Sequence, residues 1–186
     1  MMRATGRVIL LNGTPSSGKT TLANALHDAF PTPSFFIGLD EFRLAVPARF
    51  WVGDGVRTLF DPMVEAWLRC LREVATRGIH VIAEAAIIPK TQTLYDDAFG
   101  DLDVLLVGVR CPLGVVHQRE AQRMDRINGP HEVTADDVDL VHRHDYDLEV
   151  DTSVEPTAES VSRILRAWHT IDSEPRETKG PKLSSN

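Results

Sequence analysis

The sequence predicts a three-layer α/β fold: a five-stranded parallel sheet, strand order 2-3-1-4-5, with helices on both faces. Three observations carry this. Short, nearly continuous apolar runs such as Val8-Ile9-Leu10-Leu11 and Val104-Leu105-Leu106-Val107 lack polar alternation, as strands buried on both faces do. Segments with apolar residues at helical spacing separate those runs, the arrangement that yields crossover units. The first run leads into Gly13-Thr14-Pro15-Ser16-Ser17-Gly18-Lys19-Thr20, a match to GxxxxGK[ST] placed between a strand and a helix.

In such a loop Gly13 and Gly18 let the backbone curl around an anion, so that successive N–H groups and the helix N-terminus point at a phosphate. Lys19 adds a charge between β- and γ-phosphates, and the Thr20 hydroxyl is a Mg²⁺ ligand. Gly13, Thr14, Pro15, Ser16, Ser17, Gly18, Lys19, Thr20 and Thr21 are therefore the expected nucleotide contacts, with ATP and Mg²⁺ the expected cofactors. The following helix places Leu22, Leu26, Ala29 and Phe30 on one face and stops at Pro31-Thr32-Pro33.

The second strand, 34–39, delivers Asp40. Ligands of open α/β sheets bind beyond the carboxyl ends of the strands, so Asp40 shares a crevice with the loop. It can cap a helix starting at Glu41 and can also take the proton of an attacking hydroxyl, and the loop favours the base. Segment 41–62 mixes aromatics, arginines, Gly and Pro without a sustained period, as the wall of an acceptor pocket would. Phe42, Arg43, Phe50, Trp51, Arg57 and Phe60 are its candidate contacts. Pro62 is expected near the start of a long amphipathic helix carrying Met63, Val64, Trp67, Leu68, Leu71, Val74 and Ala75 and ending at Gly78.

The third strand, 79–84, ends in Glu84, where a carboxylate either reaches Mg²⁺ through a water or orients the acceptor. An apolar loop and a short helix, 91–99, follow. After the fourth strand, 102–109, a helix from Pro112 carries Arg119, Arg123 and Arg126. With a phosphate loop upstream, these guanidinium groups suit a nucleotide lid over 112–130 that clamps transferring oxygens. A fifth strand, 146–152, and a last helix, 156–170, complete one domain over 1–171. Residues 172–186 are polar, aperiodic and expected to be disordered.

Composition narrows the partners. A net charge of −7 and a pI near 5.5 argue against a general nucleic-acid binder. No apolar run approaches the roughly 18 residues a membrane span needs, which makes the cytoplasm the expected location. Cys70 and Cys111 read as buried small hydrophobes, and His131, His142 and His144 lack metal-ligand spacing.

The runs GDLDVLLVGVRCPLGVVHQRE, continuing to Met124-Asp125-Arg126, and VHRHDYDLEVDTS, together with the loop and IGLDEF, make the chain resemble the chloramphenicol phosphotransferase family over most of residues 7–170. The resemblance implies a P-loop kinase fold like that of shikimate and adenylate kinases. It places Asp40 as the base, Lys19 at the phosphates and Thr20 at the metal. Arg119, Arg123 and Arg126 become the lid arginines, with Arg119 stacking on adenine and Arg126 touching phosphate. The segment after Asp40 is shorter than in the chloramphenicol enzymes, and Phe50, Trp51 and Arg57 lack counterparts. The implied activity is ATP-dependent phosphorylation of a small-molecule hydroxyl, on chloramphenicol, another antibiotic or a biosynthetic intermediate. A metabolite kinase of gluconate, shikimate or nucleoside type and a nucleotide-binding regulatory module are the alternatives.

Overall fold

In the computed structural model, residues 5–122 and 132–171 are described, apart from the side chains of Val56, Arg57 and Ile171. Arg123, Arg126, His131, residues 123–130 of the expected lid and the tail 172–186 lie outside the described residues, as does the Arg57 side chain. The strands are β1 (Val8–Asn12), β2 (Ser34–Phe36), β3 (His80–Ala85), β4 (Val104–Arg110) and β5 (Leu148–Asp151). All neighbours pair in parallel, in the order β2-β3-β1-β4-β5.

β1 lies at the centre of the sheet, with Val8 opposite both Val81 and Val104. Side chains alternate between sheet faces with period two, so a strand covered on both sides is apolar at every step. Val8 and Leu10 join one core with Trp67, Leu68, Leu71, Val81 and Phe99. Ile9 and Leu11 join the other with Leu22, Leu26, Ile82, Ile164 and Trp168. The first core is closed by α3 (Asp54–Thr76) and α4 (Gln92–Phe99), the second by α1 (Lys19–Ala29) and α7 (Thr157–Ile171). A smaller cluster of Cys111, Val116 and Val133 joins α5 (Leu113–Gln122) to α6 (Ala135–Val141).

Three elements depart from the sequence expectation. Asp40 lies within a short helix, α2 (Leu39–Arg43), and a single 3-10 turn follows at Ala48–Phe50. α3 starts at Asp54, not at Pro62, which sits inside it. A proline beyond the first turn removes a helix hydrogen bond, which argues for a boundary from sequence alone. Here the apolar stripe of α3 beyond Pro62 packs on the sheet and carries the helix through the proline. α6 is legible only in its Thr134-x-x-Asp137 capping box, in which the Asp137 N–H donates to Thr134 Oγ1 and the Thr134 N–H to Asp137 Oδ2. The two cysteines also separate: Cys111 is buried, whereas Cys70 is only partly so, and both are free.

Trp67 is fully buried and donates from Nε1 to the Ile37 carbonyl at 2.8 Å, tying α3 to the chain just ahead of Asp40. Trp67→Ala is expected to destabilise the fold by about 3–5 kcal/mol, read as a lower urea midpoint.

Candidate functional site

The carboxyl ends of β1 and β3 and the chain after β2 open on a cleft of about 620 Å³. Its walls combine Lys19, Thr20 and Thr21 from the loop and α1, Asp40 and Arg43 from α2, and Phe60 and Val64 from α3. Glu84 and Tyr95 also line it, as does Arg119 of α5.

The loop is held in shape from behind. Ser16 has φ 58° and Gly18 φ 91°, the left-handed backbone that turns consecutive N–H groups toward one concavity. Serine has a Cβ and meets a cost of about 1–2 kcal/mol there, and its hydroxyl donates to the carboxylate of the buried Glu120. At Gly13 a Cβ would stand 2.5 Å from the Val109 carbonyl oxygen, so the strand-to-loop exit has room for glycine alone. The Gly13 N–H donates to the Ala85 carbonyl at 3.1 Å, and Lys19 Nζ donates to the Thr14 carbonyl at 2.7 Å. Thr14 and Ser17 are buried in the loop, while Pro15, Ser16, Gly18, Lys19, Thr20 and Thr21 reach the cleft.

Asn12, the last residue of β1, is the keystone of that support. It is fully buried, accepts from the Ile87 N–H at 2.9 Å, and donates to the Val141 carbonyl at 2.8 Å and the Tyr146 hydroxyl at 2.9 Å. The Tyr146 hydroxyl also lies 2.9 Å from His142 Nδ1. Burial, then the charge of Arg110, push His142 down to about 4, so that its ring is neutral. Burial pushes the Tyr146 phenol up to about 12.

The Thr20 hydroxyl donates to Glu84 Oε2 at 2.8 Å, joining loop and β3 across the cleft floor. Tyr95 stands beside them. Burial, then the charge of Glu84, push its phenol above the ordinary range, which keeps it a hydroxyl donor. Asp40 is a solvent-facing carboxylate, its side chain 79% exposed, and accepts from Arg43 Nη1 at 3.3 Å. Arg119 donates to the Thr152 hydroxyl at 2.9 Å and to the Thr152 carbonyl at 2.8 Å. The same hydroxyl donates to the Ser17 carbonyl at 2.5 Å, so Arg119 braces the loop from the far side.

Of the residues expected from sequence to touch an acceptor, Arg43, Phe60 and Glu84 line the cleft. Trp51 does not: it is 1% exposed, donates from Nε1 to the Val46 carbonyl, and lies beneath the Arg43 guanidinium. Phe42 packs against the core, and Phe50 is exposed away from the cleft. Tyr95, Leu39 and Val64 line the cleft without having been singled out. Val64 was hidden by apolar helical spacing, which reads as core, and Leu39 by its place at the end of a strand; Tyr95 carried no signal of its own.

A parallel sheet in this order, with a phosphate loop leaving its central strand, defines a P-loop kinase. Solved structures of that fold superpose well. Shikimate kinase from Acinetobacter baumannii in complex with shikimate gives a TM-score of 0.66 at 17% identity, covering 91% of this chain and 97% of that one. The Mycobacterium tuberculosis APS kinase CysC with AMPPNP and APS gives 0.64 at 15%, covering 89% and 98%. The Deinococcus radiodurans tunicamycin resistance protein gives 0.64 at 21%, covering 87% and 94%. Residues 6–169 match the chloramphenicol phosphotransferase-like protein family, and the chain belongs to it. Two Mycobacterium tuberculosis proteins, from strains CDC 1551 and H37Rv, bear an O-phosphotransferase name. Each is 31% identical over 189 residues, covering 88% of this chain and 82% of the relative. The chain is a phosphotransferase enzyme.

The neutral His142 carries a pH signature. Its folded pKa lies below its ordinary value of 6.5, so the unfolded chain takes up this proton first as pH falls. The stability it supports is complete above pH 6.5 and declines toward about pH 4. Chemical denaturation of wild type and His142→Gln across that window is expected to show the steeper acid loss in wild type.

Proposed function

We propose that this chain is an ATP-dependent O-phosphotransferase that moves the γ-phosphate onto a hydroxyl of a small molecule. The observation that carries the proposal is a single cleft lined both by Lys19 and Thr20 of the phosphate loop and by the exposed carboxylate of Asp40. Phosphoryl transfer asks the protein for positioning and charge stabilisation more than for covalent chemistry. The loop backbone and Lys19 hold the donor phosphates. Asp40 accepts the proton of the attacking hydroxyl as the new O–P bond forms and the bond to the β-phosphate oxygen breaks.

The Thr20 hydroxyl and the Glu84 carboxylate are hard oxygen donors bonded to each other. They fit Mg²⁺, which takes one or two protein oxygens and completes its shell with phosphate and water. When bound, the ion neutralises charge on the β- and γ-oxygens. Arg119 is proposed as the contact to the nucleotide base and Arg123 and Arg126 as the clamp on developing charge, all three on the strength of the family pattern.

The acceptor side is assigned to Arg43, Phe60, Glu84 and Tyr95. The family points to an antibiotic as acceptor, and a charged group on the acceptor wall favours a second reading, a hydroxy-acid metabolite. The proposed location is the cytoplasm; among the described residues no helix is long and apolar enough to cross a membrane.

Asp40→Asn is expected to bind an ATP analogue as wild type does while transfer falls about 10²–10⁴-fold, measured by product mass across antibiotics, hydroxy acids, sugars and nucleosides. Near-normal transfer by this variant would remove Asp40 from the base role. ATP turnover that no acceptor stimulates would favour a regulatory module instead.

A further inference from the structure

Tyr95 brings an uncommitted polar group to the cleft. Its ring belongs to the core beneath, with Trp67, Ile87 and Phe99, and the residue is only 5% exposed. Its hydroxyl has no hydrogen-bond partner among the described residues, yet it is not one of the unpartnered polar atoms shut away from water. Tyr95 lines the cleft, so the hydroxyl opens there.

The neighbouring side-chain donors are engaged. Thr20 donates to Glu84, Arg43 Nη1 to Asp40 and the Thr91 hydroxyl to the Ile88 carbonyl. Burial and the charge of Glu84 keep the phenol protonated, so Tyr95 offers a proton that the protein itself does not use. Core packing of the ring fixes where that O–H starts, and a donor fixed in advance loses little freedom on binding. Leu39, Phe60, Val64, Ala85 and Ala86 add apolar surface to the same cleft.

We infer that Tyr95 is a specificity-determining residue whose hydroxyl donates to an uncharged oxygen, a carbonyl or a second hydroxyl, on the apolar body of the acceptor. This rests on the reading of the cleft as an acceptor site. The oxygen is distinct from the one that is phosphorylated, whose proton goes to Asp40. An acceptor with carbon in its place would leave a desolvated hydroxyl without a partner, and is bound less tightly. A carboxylate in its place would meet the charges of Glu84 and Asp40, both on the cleft wall. The contact therefore selects an uncharged alcohol over a hydroxy acid.

The chain has 2 tyrosines, Tyr95 and Tyr146, so ¹³C at tyrosine Cζ gives the full chain one resonance for each. The resonance lost in Tyr95→Phe is that of Tyr95. Acetophenone, a neutral oxygen on an apolar body, is compared with ethylbenzene, which lacks the oxygen, and with benzoate. Acetophenone is expected to shift the Tyr95 resonance saturably and to bind about fivefold or more tighter than either, with the advantage over ethylbenzene lost in Tyr95→Phe. That variant is expected to melt with wild type, which a structural role for the hydroxyl would not allow. Equal binding of acetophenone and ethylbenzene, a silent Tyr95 resonance, or an advantage that survives Tyr95→Phe overturns the contact. Benzoate bound as tightly as acetophenone overturns the preference for an uncharged oxygen. In parallel, para-hydroxymethyl acetophenone and para-ethylbenzyl alcohol are offered with Mg-ATP. The ketone is expected to show the lower KM at similar kcat, and Tyr95→Phe to erase the difference. Equal transfer to both, with no acetophenone response, defeats the contact and leaves phosphotransfer standing. An acetophenone response with no phosphorylated product from any acceptor supports the contact and defeats the transfer reading.

Discussion

The side chain of Asn12 is the interaction on which the site depends. A central strand covered on both faces is apolar along its length, and its last residue must hand the chain to a loop whose backbone is turned toward an anion. The buried Asn12 amide makes that transition possible by bonding to the Ile87 N–H beyond β3, the Val141 carbonyl at the end of α6 and the Tyr146 hydroxyl before β5. One amide thus fixes both flanks of the sheet to the start of the phosphate loop. A hydrophobic residue of similar size would take its partner from the buried Ile87 N–H, at about 1–3 kcal/mol, whereas the Tyr146 hydroxyl and the Val141 carbonyl would keep the bond between them.

Above that support, the loop is clamped from two further directions. Glu120 holds the Ser16 hydroxyl, and the Arg119–Thr152 pair holds the Ser17 carbonyl. Glu120 and Arg119 are adjacent residues of α5 and Thr152 directly follows β5, so the segment after β4 shapes the phosphate site from its rim. Thr20 and Glu84 close the fourth side. A left-handed serine is tolerable here because its surroundings, not its own preference, set its dihedrals.

Much of this was legible in the sequence because it is local. The strand, the glycines, Lys19 and Thr20 lie within one short stretch, and Asp40 is located by a general rule about strand ends. Sheet order followed from the same pattern. What escaped was non-local or disguised. Trp51 looked like a ligand contact because no local period explained it, whereas it is buried by stacking with Arg43 across the turn at Ala48–Phe50. Val64 looked like core because it falls on an apolar helix stripe, and that stripe, like Tyr95 of α4, runs from core into cleft. The start of α3 was misplaced because Pro62 is a strong local stop that packing overrides. Asn12 gave only the weak signal of one polar residue ending an apolar run.

The two halves of the cleft are built from different materials, and this explains how one fold serves many acceptors. Phosphates are read by backbone N–H groups and a helix end, which almost any sequence of the right shape supplies. The wall proposed for the acceptor is made of side chains of α2 and α3, where each substitution changes shape or charge at once. Solved structures only 15–21% identical to this chain share its fold, while their names record APS, shikimate and tunicamycin resistance. On the proposed reading, acceptor choice falls to the few side chains between Leu39 and Val64 that line the cleft, together with Glu84 and Tyr95.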